Sequence, residues 1–156
     1  MKYILSTVTL VLAIVGFSTI SYAQAPKTPV VAPAPTLFDT TANAPLSARK
    51  QFVDTNLRDL LSRLSAIHTR VQIASARLGT NGIDTASANL ALSTAQTALT
   101  TAKTHLDTFT ATPVDEKPAT VLTLRTQAKL AEDNLKIART SIIQSLDTLK
   151  ITLQAQ

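Results

Sequence analysis

Two histidines, the adjacent carboxylates Glu132 and Asp133 and a spaced row of arginines are the side chains of this 156-residue sequence whose types and positions invite a chemical reading. His68 and His105 could ligate a metal or carry a proton. Neither has a second strong ligand three or four residues away, the spacing that would put two donors on one helix face. The sequence contains no Cys, which excludes a thiolate ligand, a thiol nucleophile and a disulfide framework. Glu132 and Asp133 have basic neighbours in Lys129, Lys136 and Arg139, mostly three or four positions away, so they read as a solvated salt-bridge surface. There is no Gly-rich phosphate loop and no Ser in a strand-to-helix elbow. The sequence therefore predicts a protein that is not an enzyme, with no catalytic residue, no cofactor and no metal site. Both histidines are expected at the edges of helix seams, partly exposed and well over about 10 Å apart along the molecule.

Two surfaces remain. Arg63, Arg70 and Arg77 recur every seven residues, with Arg49 on the same line. They form either a basic strip for anionic lipid, wall polymer or a carboxylate-rich partner, or flanking charge that lies over the core and pairs with another helix. Leu130, Ile137 and Ile151, with Ile143 between, form a stripe at heptad spacing away from the main apolar seam of their segment. Such a stripe is either the wider apolar arc of a helix with two neighbours or a face for a partner or for self-association. The formal charge of +5 includes Lys2 and is spread along the chain, too little for a nucleic-acid footprint, and no specific nucleic acid is expected.

The elements that must position these residues follow from apolar spacing. Val53, Leu57, Leu60, Leu64, Ile67, Val71, Ala74 and Leu78 alternate at steps of four and three, an amphipathic seam almost four heptads long. Pro45 suits a first helical position, which sets the first helix at 45–78. Asp54 and Arg58, and Asp59 and Arg63, stand four apart in the favourable acid-first order. Gly79 is expected to end this helix in a left-handed conformation. Asn81-Gly82 marks a turn, Asp84 can cap the next helix, and Ile83 can fold back on Ala88. The second helix, 84–110, carries Ala88, Leu92, Ala95, Leu99, Ala102, Leu106 and Phe109. Its other face is rich in Thr and Ser, so it would not hold alone. The third, 118–154, starts on Pro118 and carries Val121, Leu124, Ala128, Ala131, Leu135, Ala138, Ile142, Leu146, Leu149 and Leu153. Two consecutive steps of four around Ile142 read as a stutter. The short connections make neighbouring helices antiparallel. The fold class is all-α, an antiparallel three-helix bundle with coiled-coil-like heptad packing over residues 45–156.

The beginning of the chain reads differently. Lys2 followed by the apolar run Tyr3 to Phe17, ending in Ser21-Tyr22-Ala23, matches a signal peptide over 1–23 cut after Ala23. If the segment is kept, it is close to the length that anchors a chain in a bilayer. Residues 24–44, with Pro26, Pro29, Pro33 and Pro35, read as a disordered linker that could reach roughly 60 Å when extended. The expected location is outside the cytoplasm: periplasm, cell surface or medium.

The run Arg70 to Leu78, the loop Gly82-Ile83-Asp84 and the Ala/Leu seam from Ala88 to Ala102 resemble small exported helical-bundle proteins of uncharacterised function in bacteria. The resemblance covers roughly residues 48 to 150 and implies an exported helical bundle, with no activity carried over. The function expected is a non-enzymatic interaction or structural module of the bacterial envelope, binding another envelope protein or itself through long helix faces, with weak contact to anionic polymer or lipid. The alternative is a periplasmic chaperone or stress protein sheltering apolar clients. Some helical envelope chaperones carry Leu-Thr-x-x-Gln; here Leu122-Thr123-Leu124-Arg125-Thr126-Gln127 has one residue more.

Overall fold

The computed structural model describes residues 37–38 and 44–155. The segment read as a signal peptide (1–23) and nearly all of the stretch read as a Pro-rich linker (24–44) lie outside the described residues. Three helices, α1 (Leu46–Thr80), α2 (Ala86–Ala111) and α3 (Pro118–Gln154), pack against one another as an all-helical bundle. Among the described residues, no helix is long and apolar enough to cross a membrane.

Polar contacts fix the direction of α1 against α2. Lys50, near the start of α1, donates through Nζ to the carbonyls of Thr110 (2.8 Å) and Thr112 (2.5 Å), at the end of α2. At the other end, the Ser75 hydroxyl donates to Asn89 Oδ1 at 2.7 Å, near the start of α2. The pair is therefore antiparallel. The connection that makes this possible is a Schellman turn: Ile83 N–H bonds the Leu78 carbonyl (3.1 Å) and Gly82 N–H bonds the Gly79 carbonyl (3.0 Å). Gly82 holds the left-handed conformation (φ 79°). Gly79 was expected in that role, but it remains helical. The turn spends two more residues satisfying the last carbonyls before it reverses, and buried Ile83 closes it. The N-cap of α2 is Thr85 and not Asp84, and its side chain makes no capping bond; Asp84, one residue earlier, accepts Ala86 N–H on Oδ1 at 2.9 Å. Pro118 occupies the first turn of α3, where its missing N–H costs nothing. The Asp115 carboxyl precedes that end. The Thr120 hydroxyl, then Lys117, hold it below the usual carboxylate range.

All seven apolar positions foreseen for α2 are buried, and Ala91 and Ala98 widen the arc. Burying Leu92, Leu99 and Leu106 contributes about 2 kcal/mol each, while the alanines between them let neighbouring backbones approach. The broadest helix contact is α2 with α3. On α1 the buried set is rotated from the foreseen seam. Val53, Leu57, Leu64 and Val71 are inside, but Leu60 is exposed, Ile67 and Ala74 are only half-buried, and His68 and Ser75 are buried. The rotation turns two polar side chains toward partners on α2, and it leaves apolar atoms at the rim. On α3, burial runs through Leu124, Ala128, Ala131, Leu135, Ala138, Ile142, Ser145 and Leu149, with steps of four and three throughout. The stutter foreseen at Leu146 is absent from this row. The helix keeps its rotation and buries the Ser145 hydroxyl, which has no hydrogen-bond partner.

Three residues of the stretch read as a linker, Leu37, Phe38 and Ala44, are described, and Phe38 is core. Phe38 is 1% exposed. Its ring meets Phe109 edge-on, with centroids 6.4 Å apart. The Arg49 guanidinium lies over the Phe38 ring at 4.3 Å and donates to the Phe38 carbonyl at 3.1 Å. Arg49 is thus turned into the end of the bundle and does not continue the line of Arg63, Arg70 and Arg77.

Two substitutions separate these effects. Gly82→Ala places a Cβ in a left-handed conformation with no neighbour to clash with, so thermal unfolding should show a loss of about 1 kcal/mol from backbone strain alone. Ser145→Ala removes an unpaired buried hydroxyl and should raise stability by about 1 kcal/mol in the same measurement.

Candidate functional site

The chemistry-bearing side chains separate into a polar layer, a charged cluster and two outward faces. The polar layer lies between the C-terminal half of α1 and the N-terminal half of α2. His68 is buried there, with Nε2 3.1 Å from the Leu92 carbonyl; a carbonyl only accepts, so Nε2 carries the proton. This overturns the expectation of a partly exposed seam-edge histidine. The ring sits under an open cleft of about 570 Å³ lined also by Gln72, Asn89, Ser93, Gln96 and Thr97. Beside it, Asn89 accepts a hydrogen bond from the Ser75 hydroxyl on Oδ1 and donates through Nδ2 to Thr85 Oγ1 at 3.2 Å. Ser75 thus bonds an amide oxygen, with no base to activate it, and His68 is committed to a backbone carbonyl. The layer offers amide and hydroxyl groups to a polar surface; it does not assemble a nucleophile with its base.

His105 belongs elsewhere. Its Nδ1 lies 2.8 Å from Gln127 Oε1 on α3, and it sits about 20 Å along α2 from the level of His68. The two rings do not converge. Among the described residues, no three His, Asp or Glu side chains gather as a metal-binding group.

The charged cluster gathers at the C-terminal end of α2. Arg58 holds Asp54 through Nε at 3.0 Å and reaches across to Asp107 at 3.2 Å and to the Thr110 hydroxyl at 2.8 Å. Lys103 closes on the other oxygen of Asp107 at 2.6 Å. The Asp54–Arg58 pair, read from spacing as local helix support, thus also ties α1 to α2, where Arg58 and Lys50 sit favourably at the negative end of the α2 dipole. The bond from Lys103, then that from Arg58, hold the Asp107 carboxyl below its ordinary range. Spacing had not singled out Lys50, Asp107 or Thr110, because the contacts that tie them to the other helix span about fifty to sixty residues of sequence.

Of the arginine strip, Arg63 pairs with Asp59 of its own helix at 2.8 Å. Arg70 and Arg77 are exposed and have no ion pair among the described residues, so pairing toward α3 does not account for them. Leu130, Ile137 and Ile151 are 37%, 49% and 66% exposed. They lie outside the core, which removes the core-packing account of that stripe. Glu132 and Asp133 both face Lys136, at 3.1 and 3.8 Å, and Glu132 first of all holds the Lys136 ammonium above its usual range. The Thr-rich face of α2 is chemically quiet. Thr94, Thr97, Thr100, Thr101, Thr104 and Thr108 each donate to the carbonyl four residues back, so these hydroxyls are engaged by their own helix.

The charged cluster carries a pH dependence with a fixed sign. Because the folded state holds Asp107 below its unfolded range, its contribution is present above that range and fades as pH falls through the lowered value. Asp107→Asn should therefore flatten the acid limb of a melting-temperature profile and leave the limb above neutrality parallel to the parent protein.

Comparison with protein-family models, with curated proteins and with solved structures gives no match.

Proposed function

We propose that this chain is an exported, non-enzymatic helical module of the bacterial envelope that binds a protein partner along the outer face of α3. The observation that carries the reading is the exposed row Leu130, Ile137 and Ile151. Leu130 and Ile137 are seven residues apart and Ile151 lies two heptads beyond Ile137, with Gln144 between, so the row extends over about 30 Å along the helix axis and offers heptad ridges to a second helix laid alongside. Solvated aliphatic side chains in such a row gain about 25 cal/mol for each Å² removed from water. The buried steps of four and three on α2 and α3 support coiled-coil-like packing inside the bundle.

Export and envelope location rest on Lys2, the apolar run to Phe17 and Ser21-Tyr22-Ala23. A retained signal would anchor the module in a membrane. The non-enzymatic reading rests on the separate commitments of His68 and His105 and on the amide partner of Ser75.

The test is capture of envelope proteins by the full chain and by a Leu130→Ser, Ile137→Ser, Ile151→Ser variant. The variant should keep its circular dichroism and thermal unfolding, because each site is at the surface. One stoichiometric partner, lost with the variant, is the expected result. A broad set of unfolded clients, with substoichiometric suppression of aggregation, would replace the adaptor reading with the chaperone. Equal capture by both proteins would remove α3 as the docking face.

A further inference from the structure

A different face of the bundle has the composition of a lipid-contacting surface. At 100° per residue, Phe52, Arg63, Ala66, Arg70, Ile73 and Arg77 fall within an arc of about 80° on α1. All six are exposed, and Phe52 and Ile73 leave nearly half of their surface in water. The one acid in that arc, Asp59, is paired with Arg63. From Leu60 through Ile83 the chain has no carboxylate at all, so Asp59 offsets Arg63 alone, and Arg70 and Arg77 have no acid of their own helix beside them.

The arrangement distinguishes among anionic partners. A hydrated polyanion would satisfy the arginines and leave Phe52 and Ile73 in water. A bilayer surface satisfies both, because guanidinium groups bind headgroup phosphates while the aliphatic and aromatic groups enter the boundary beneath them. Arg63 and Arg77 are about 21 Å apart along the axis, enough to span several headgroups. We propose that this face of α1 lies on an anionic phospholipid bilayer, with Arg63, Arg70 and Arg77 on the phosphates and Ile73 inserted between the last two. The site is separate from the α3 row, so it leaves that row free for a protein partner.

The natural absence of Cys makes the test specific to position. The full chain carrying Ala66→Cys, labelled with an environment-sensitive fluorophore, is mixed with phosphatidylglycerol vesicles or with neutral phosphatidylcholine vesicles. The label reports its own surroundings, so attachment through the N-terminal residues alone does not move its emission. The expected result is a shift with the anionic vesicles only, abolished by high salt, with none for a label at Thr104→Cys on the outer face of α2. Arg63→Gln, Arg70→Gln and Arg77→Gln together should raise the lipid concentration needed by roughly a hundredfold, and Ile73→Ser by less, at unchanged circular dichroism. The α3 triple-serine variant should still give the shift. No shift at position 66, an equal shift with neutral vesicles, a shift that survives the three glutamines, or an equal shift on soluble polyglutamate would overturn the proposal.

Discussion

The bundle depends on covering α2 from two sides. That helix has little charge and many Thr residues whose hydroxyls bond back to their own backbone, so its local preference for a helix is modest. Its apolar arc runs unbroken from Ala88 to Phe109 and is too wide for a single neighbour to cover. The alanines bring α3 close along one flank; α1 covers the other. Removing either neighbour would leave half of the arc in water.

Apolar seams of this kind fix which faces meet more firmly than how far one helix slides past another. A shift of seven residues would again set apolar groups against apolar groups. The polar bonds between α1 and α2 remove that freedom. Ser75 meets Asn89, His68 meets the Leu92 carbonyl, and Arg58 meets Asp107, in an order that only one register satisfies. A slip would leave the His68 ring and the Ser75 hydroxyl buried and unpaired, at about 1 to 3 kcal/mol for each group. Burial of these polar groups in α1 thus contributes definition where Ile67 and Ala74 would have contributed only surface area.

The number and order of the helices were legible in the sequence because seam and face contrast sharply, most clearly on α2, where Leu and Ala alternate against Thr and Ser. The inner edge of α1 was not. Ile67 stands next to His68 and Ala74 next to Ser75, and hydropathy selects the first of each pair while the structure buries the second more deeply. The deciding partners, a backbone carbonyl and an amide on α2, leave no mark on the local pattern. Leu146 was chosen over Ser145 for the same reason, although Ser145 found no partner in compensation. Of the surface residues, the exposed α3 row was visible as a stripe, but its heptad spacing serves core and surface equally well, and only packing decides which. Phe38 had a signal that proline obscured: it is the sole aromatic residue between Tyr22 and Phe52. The inward turn of Arg49 follows from that ring and had no local sign.

Phe38 also gives the bundle a mechanical polarity. Its ring is seated against Phe109 and under Arg49, at the end where α1 begins and α2 finishes, while the Gly82 turn stands at the far end of α1, about 50 Å away. A pull on the preceding chain therefore reaches this aromatic seat before it reaches α1. The seat would open by peeling out Leu37 and Phe38 from Phe109 and Arg49, a small unit compared with shearing a seam many turns long. Under tension, the first event would be the release of this seat, with the three helices still closed behind it.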